Sequence, residues 1–185
     1  AVRLMEQTAR GLVTAHAQGV VHRDIKPSNL MVNRHGVLKI LDMGLARIET
    51  GDDGLTGTEQ VMGTVDYMSP EQASATKGAD ARSDVYSLGI ILYEMITGRV
   101  PFEGETTAEI LMKHLTAEPD LTVLPEKLRP VLAAARGLQA TGVGHLQQAL
   151  MHPAALRNGL QRVADGDAVA QHGATFRNVD QRHLV

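Results

Sequence analysis

Two short motifs contain residues whose types and spacing could carry out chemistry. Residues 22–29 read His-Arg-Asp-Ile-Lys-Pro-Ser-Asn, and Asp42 follows shortly after them. Asp24 is an acid that can accept a proton, and Lys26 is a cation that can meet a phosphate. Asn29 and Asp42 offer an amide oxygen and a carboxylate, which are hard ligands suited to a divalent metal. Together these are the components of a phosphoryl-transfer site.

Composition and charge exclude several classes of partner and chemistry. The chain has 185 residues, a net charge of −3 and no cysteine. This length predicts one domain. Because no long run of one charge occurs, we expect neither a nucleic acid nor a membrane surface as the main partner. The absence of cysteine excludes disulfides and thiolate chemistry, and the longest apolar stretch, residues 88–96, is too short to span a bilayer.

The hydrophobic pattern predicts a mainly α-helical chain with one small β-hairpin. Residues 1–18 are predicted to form an amphipathic helix that ends at Gly19. Val20-Val21 are predicted to form a short strand, and residues 30–41 a hairpin. Residues 83–97 are apolar on nearly all sides of a helix, which predicts a helix in the middle of the domain.

The remaining segments are less regular. Residues 45–69 lack periodicity and are predicted to form a long loop, which in a compact domain is more often functional than not. Thr106 opens a capping-box pattern ahead of another helix, and residues 128–136 are also predicted to be helical. Residues 133–185 are interpreted as a divergent, partly disordered tail. Four histidines in the tail match no metal-ligand spacing and are interpreted as surface residues: His145, His152, His172 and His183.

Four motifs occur in an order that identifies a family. Besides residues 22–29 and 42–44, they are residues 63–71 (Gly-Thr-Val-Asp-Tyr-Met-Ser-Pro-Glu) and residues 84–89 (Asp-Val-Tyr-Ser-Leu-Gly). With these motifs, residues 1–132 resemble the C-terminal lobe of a protein kinase, most closely the bacterial Ser/Thr kinases of eukaryotic type. The resemblance implies a kinase-like C-lobe of the α+β family, mainly α with a small hairpin and without the β-sheet of the N-terminal lobe.

The resemblance implies a role for each residue of the site. Asp24 would accept the proton of a substrate hydroxyl, and Lys26 would offset charge on the transferring phosphate. Tyrosine-specific kinases usually differ at the position of Lys26, which favours Ser or Thr as the acceptor. Asn29 and Asp42 would bind Mg²⁺.

The same resemblance implies the partners of the chain. They are ATP, with Leu30 and Met31 in its binding site, Mg²⁺, and a protein substrate. We expect a cytoplasmic location, or the cytoplasmic domain of a longer membrane-anchored kinase. The residues do not indicate the physiological substrate, the upstream signal or the oligomeric state.

Regulation is implied for the long loop. Arg23 would bind a phosphate on this activation loop, for which Thr56 and Thr58 are the candidates. A loop rich in Thr is also simply soluble, so this alternative stays open. Thr64, in the loop that would contact the substrate, would help hold the catalytic residues beside it.

Support for the site is implied at four further positions. Met43 stands where the family usually has Phe and is expected to pack against His22. Asp84 would accept hydrogen bonds from the backbone of the catalytic loop. Glu71 would be a buried carboxylate that pairs with an arginine late in the lobe, but the usual setting for that arginine is absent, so the lower half of the lobe is expected to be poorly held. Possible substitutes are Arg136, Arg157 and Arg162.

Other parts of a kinase site do not occur in these 185 residues. They contain no Gly-x-Gly-x-x-Gly loop and no Val-Ala-x-Lys strand, which would cover ATP. We therefore expect the chain alone to have negligible activity. Three interpretations stay open: a fragment of an active Ser/Thr kinase, as Ala1 in place of Met hints; a non-catalytic docking module; and an aberrant product whose sequence after residue 132 comes from a frame change. Retention of the site residues argues against a module built only for docking.

Overall fold

The computed structural model of the chain describes residues 2–42, 65–74, 79–130, 132–133 and 177–178. The fold in these ranges is mainly helical with a small antiparallel hairpin, as predicted. The elements, in chain order, are helix α1 (Val2–Ala17), strands β1 (Leu30–Val32) and β2 (Leu38–Ile40), helices α2 (Pro70–Ala73), α3 (Ala81–Thr97) and α4 (Thr107–Thr116), and the two-residue strand β3 (Arg177–Asn178).

Helix α3 forms the centre of the domain. Every residue from Ser83 to Tyr93 is buried. Its apolar residues pack against α1, β1 and the segment around Leu128 in one core. The helix begins two residues before the predicted start because the Asp80 side chain caps it by accepting a hydrogen bond from Arg82 N. It ends at Gly98, which has a left-handed φ of 78°.

The hairpin lies on α1 and is held there by Gln7. The Gln7 Nε2 group donates to Gly36 O at 2.9 Å, and its Oε1 atom accepts from Leu38 N at 3.0 Å. Gly11 allows a close approach, since a Cβ at this position would lie 3.0 Å from Ile40 Cδ1. Strand β3 pairs in parallel with β1 on the side away from β2. The hairpin is therefore fixed to α1 by hydrogen bonds from the Gln7 side chain to its backbone and by packing at Gly11.

A second cluster supports the far side of α3. The ring of His114, on α4, lies edge-on to Tyr86 and Phe102, with centroids 5.7 and 5.0 Å away. His114 Nδ1 forms a hydrogen bond of 2.8 Å with the Tyr86 hydroxyl. Burial lowers the pKa of His114 to about 4. The backbone of Val65 and that of Asp66 act in the opposite direction and offset only part of this decrease. The imidazole is therefore neutral at pH 7.

One local prediction is wrong, one predicted helix lies only partly within the described residues, and one helix was not predicted. Val20-Val21 form no strand, because Val20 N bonds back to Ala15 O at the end of α1 and no described strand lies beside them. The helix predicted at residues 128–136 is preceded by a 3₁₀ turn at Glu126–Leu128, and most of its second half lies outside the described residues. Helix α2 was not predicted. Residues 45–64 of the predicted loop also lie outside the described residues. So does most of the tail, including its four histidines.

Replacing Gln7 with Ala should weaken the attachment of the hairpin. The change removes two hydrogen bonds, each worth about 1 kcal/mol, so we expect the free energy of unfolding to fall by about 1–2 kcal/mol. Urea denaturation measures this difference. Gln18→Ala is the control, because Gln18 is exposed just after α1 and should leave the stability almost unchanged. Equal effects of the two substitutions would contradict the role of Gln7.

The neutral state of His114 should make stability depend on pH. Between about pH 6.5 and pH 4 the unfolded chain binds a proton that the folded chain does not bind, so stability falls as pH decreases through this window. We expect a loss of about 2 kcal/mol between pH 7 and pH 5 from this residue. Urea denaturation at both pH values should show a smaller loss in His114→Gln. The exposed control His35→Gln should keep the wild-type dependence.

Candidate active site

The carboxylate of Asp84 holds the start of the catalytic loop, residues 22–29. Asp84 is fully buried near the N-terminus of α3. Its Oδ1 atom accepts from Arg23 N at 2.7 Å, and its Oδ2 atom accepts from His22 N at 2.9 Å. The Nε2 atom of His16, in the last turn of α1, also lies 2.7 Å from Oδ2. The sequence predicts only that His16 belongs to the amphipathic helix of residues 1–18, where a polar residue at an apolar spacing is the available signal.

His22 connects the catalytic loop to the segment that carries Asp42. Its Nε2 atom donates to Leu41 O at 2.7 Å, and its Nδ1 atom accepts from Asp24 N at 3.2 Å. These two bonds require the neutral Nε2–H tautomer. Leu41 N in turn donates to Asn29 O at 2.9 Å. Both backbone groups of Leu41 are therefore bound to the catalytic loop, which brings Asp42 to it. Met43 lies outside the described residues.

The carboxylate of Asp24 is bound by two side chains of its own loop. Lys26 Nζ lies 2.9 Å from Oδ2, and Asn29 Nδ2 donates to the same oxygen at 3.0 Å. Asn29 Nδ2 also donates to Asp24 O at 2.8 Å. The loop reaches this arrangement through a 3₁₀ turn at Pro27–Asn29. About a quarter of the Asp24 side chain is exposed, so the carboxylate is both oriented and accessible.

Asn29 and Asp42 carry side chains of the kind that bind Mg²⁺. Because the Asn29 amide nitrogen is used by Asp24, its oxygen is the atom left for a metal. Asp42 is exposed and has a left-handed φ of 56°. Within the described ranges no group of three or more His, Cys, Asp or Glu residues could hold a metal. One amide oxygen and one carboxylate suit Mg²⁺, which takes few protein ligands and completes its shell with phosphate and water.

The two residues expected at ATP lie on opposite faces of β1. Leu30 is completely buried and belongs to the core formed by α1 and α3. Met31 is half-buried. Successive residues of a strand point to opposite faces, so Leu30 supports the strand from the core. Met31 therefore lies on the face of the strand away from that core.

The peptide of Arg23 is held in an unusual conformation. Arg23 has a left-handed φ of 68°, which is uncommon for a residue with a side chain. Its Nε atom makes a long hydrogen bond of 3.4 Å to Ala79 O. The expected phosphate-accepting residues Thr56 and Thr58, together with Thr64, lie outside the described residues.

Glu71 is half-buried rather than buried, and it bonds to α3. Ser83 Oγ donates to Glu71 Oε1 at 2.6 Å, and Ser69 Oγ donates to Ser83 Oγ at 3.1 Å. The cost expected for a buried carboxylate is reduced by this exposure and bond. The arginines considered as its partners (Arg136, Arg157 and Arg162) lie outside the described residues.

Helix α2 supplies a contact that sequence reasoning missed. Ser69 and Gln72 form a reciprocal capping box at its N-terminus, and Gln72 Nε2 donates to Arg23 O at 2.6 Å. The Ser-x-x-Gln pattern at residues 69–72 was the signal in the sequence.

A shallow depression beside Asp24 separates the catalytic loop from the turn that precedes α2. Tyr67, Met68 and Gln72 line it opposite Asp24. The Tyr67 hydroxyl donates to Glu94 Oε2 at 2.8 Å. Burial, followed by this hydrogen bond, raises the pKa of Tyr67, so the hydroxyl stays protonated and keeps the turn attached to α3. Burial also raises the pKa of the Asp66 carboxyl, and the charge of Glu94 adds to this effect.

Asp84→Asn should destabilise the chain strongly. The amide replaces one acceptor oxygen with a donor, so at least one N–H bound by Asp84 loses its partner inside the core; we expect a loss of about 3 kcal/mol. Asp80→Asn is a matched control on the same helix, because Asp80 is half-exposed and Asn is an equally good cap. Urea denaturation should show less than about 1 kcal/mol for the control. Similar losses in both variants would refute the role of Asp84.

Comparisons with known proteins identify a family. The family model described as the protein kinase domain matches residues 1–133. Serine/threonine-protein kinase PrkC of Bacillus subtilis is 44% identical over 118 residues, which cover 64% of this chain and 18% of that protein. Serine/threonine-protein kinase pkn3 of Myxococcus xanthus is 46% identical over 125 residues (64% and 23%). Serine/threonine-protein kinase drp72 of Corynebacterium efficiens is 44% identical over 138 residues (75% and 25%).

The matches cover only part of each relative. The aligned part is no more than a quarter of the length of each of these three relatives. In the described part of the chain, no helix has both the length and the apolar character needed to cross a membrane. The family model nevertheless covers well over half of the 185 residues. The chain therefore belongs to the protein kinase domain family.

Proposed function

We propose that this chain supplies the catalytic loop and metal ligands of a Ser/Thr protein kinase. The reaction is transfer of the γ-phosphoryl group of ATP to a Ser or Thr hydroxyl of a protein substrate. Family membership supports the class of reaction. The relatives are named serine/threonine-protein kinases, which supports the choice of acceptor. We place the reaction in the cytoplasm, where ATP is available.

The observation that carries the proposal is the way the two oxygens of Asp24 are used. Oδ2 is shared by Lys26 Nζ and Asn29 Nδ2, whereas none of the described residues donates a hydrogen bond to Oδ1. Oδ1 is therefore the oxygen that can accept a hydrogen bond from a substrate hydroxyl. A carboxylate is a weak base, so Asp24 acts mainly by aligning this hydroxyl for in-line attack, and it takes the proton as the bond to phosphorus forms.

Lys26 has an electrostatic role in this proposal. Its ammonium group lies 2.9 Å from Asp24 Oδ2, and we place the transferred group beside this pair. There it offsets negative charge on the phosphoryl oxygens, an effect that grows when water is excluded. Asn29 and Asp42 would hold Mg²⁺, which neutralises charge on the phosphates when bound. Met31 would contact the adenine ring.

Regulation through the activation loop is part of the proposal. Phosphorylation of Thr56 or Thr58 would create a partner for Arg23 and order the loop, and Thr64 would then stabilise the substrate side of the site. The 185 residues contain no Gly-x-Gly-x-x-Gly motif, so we expect negligible phosphoryl transfer from this chain alone. The measurements below therefore use the natural polypeptide in which the chain occurs.

Asp24→Asn tests the proposed function. In the natural polypeptide, with Mg-ATP and a Ser/Thr protein substrate, we expect this change to lower kcat about 10²–10⁴-fold, because Asn cannot accept the proton. Asp120→Asn is the control; Asp120 is exposed and lies far along the chain, at the start of a 3₁₀ turn. Radiolabelled phosphate transfer measures both. Wild-type activity in Asp24→Asn would refute Asp24 as the base. An inactive wild-type polypeptide would favour the interpretation as a non-catalytic docking module.

A further inference from the structure

We propose that Gln72 is a positioning residue for the catalytic base. It holds the peptide group between Arg23 and Asp24, and it thereby connects the N-terminus of α2 to the catalytic loop. The inference rests on the proposed function of Asp24, but the contacts that support it are those of the peptide itself.

The backbone of Arg23 is held by side chains of two other elements. Its left-handed φ of 68° is unfavourable for a residue with a side chain, so neighbouring groups must hold it. Asp84 Oδ1 binds the N–H group at 2.7 Å, and Gln72 Nε2 binds the carbonyl at 2.6 Å. Both polar backbone groups of this residue are therefore held by side chains from other elements.

Gln72 is connected to Asp24 through a single peptide group. The carbonyl of Arg23 and the N–H of Asp24 belong to the same peptide group, which is rigid. The N–H side of this group donates to His22 Nδ1 at 3.2 Å, and the carbonyl side accepts from Gln72. A shift of the carbonyl would rotate the plane and move the Cα atom from which the Asp24 carboxylate extends.

The capping box fixes the orientation of the Gln72 amide. Gln72 Oε1 accepts from Ser69 N at 3.1 Å, so its NH₂ group is the one that faces Arg23. Ser69 is fully buried and bonds to Ser83 Oγ, which precedes Asp84 in α3. Arg23 is therefore held from α3 in two ways: directly by Asp84, and through Gln72 and Ser69 by the preceding residue, Ser83.

The dual use of Gln72 allows its two contacts to be separated by substitution. In Gln72→Glu, a carboxylate oxygen can still accept from Ser69 N, because Glu completes a capping box as well as Gln does. The carboxylate cannot donate to Arg23 O. In Gln72→Met, both contacts are lost without added charge. Gln18→Glu makes the same chemical change at an exposed position just after α1 and serves as the control.

The test combines kinetics, stability and one backbone signal in the natural polypeptide. We expect Gln72→Glu and Gln72→Met each to lower kcat about tenfold, equivalent to about 1.4 kcal/mol of barrier, with KM for ATP changed less than about twofold. Both variants should lower the midpoint of urea unfolding, and Gln72→Met should lower it more, because it loses two hydrogen bonds whereas Gln72→Glu loses one. Selective ¹⁵N-aspartate labelling should show a shifted Asp24 amide resonance in both variants and an unchanged one in Gln18→Glu.

Each other outcome overturns the proposal. Wild-type kcat in Gln72→Glu would show that the bond to Arg23 does not position the base. A loss of kcat that only follows a loss of stability would show that Gln72 acts as a helix cap alone. If the wild-type polypeptide transfers no phosphate, the proposed function fails separately. The Asp24 amide then decides the matter, and an unshifted resonance in Gln72→Glu would refute the role of Gln72.

Discussion

The described part of the fold depends on the buried carboxylate of Asp84. A charge removed from water is stabilised only when donors surround it, and here the donors are His22 N, Arg23 N and the ring of His16. These three groups come from α1 and from the catalytic loop, whereas the charge belongs to α3. The need to satisfy one carboxylate therefore fixes how the central helix, the first helix and the loop lie relative to one another. The positions of the residues that follow in the loop depend on these hydrogen bonds to Asp84.

The bonding within the site forms a closed set. Asp24 receives hydrogen bonds from Asn29, and its own N–H binds His22, which binds Leu41, which binds Asn29. Because these side-chain and backbone groups satisfy one another, substitutions here should not act independently. Contacting residues of one hydrogen-bond network usually show coupling when two are changed together. The site is thus better regarded as one unit than as separate catalytic, metal-binding and structural residues.

Local patterns predicted most of the elements, whereas the contact of Asp84 with the backbone of the catalytic loop was predicted through the family resemblance and is confirmed. Helical periodicity and alternation located α1, α3 and the hairpin, and four ordered motifs identified the family. The bond from Gln72 to Arg23 spans 49 positions, and no local pattern encodes such a distance. Helix α2 was missed because its four residues follow a segment of loop-like composition. Leu30 and Met31 look equivalent in sequence, and only the pleat of β1 against the core distinguishes them.

The separation between Arg23 and Asp84, 61 positions along the chain, has a consequence for the order of folding. A contact of this kind forms only after the intervening chain has been made and its loop closed, which is slow compared with forming a helix. During synthesis, the His-Arg-Asp sequence leaves the ribosome well before α3 does. The nascent chain then carries Asp24, Lys26 and Asn29 without their final geometry, and the loop takes up that geometry only when the central helix packs against it.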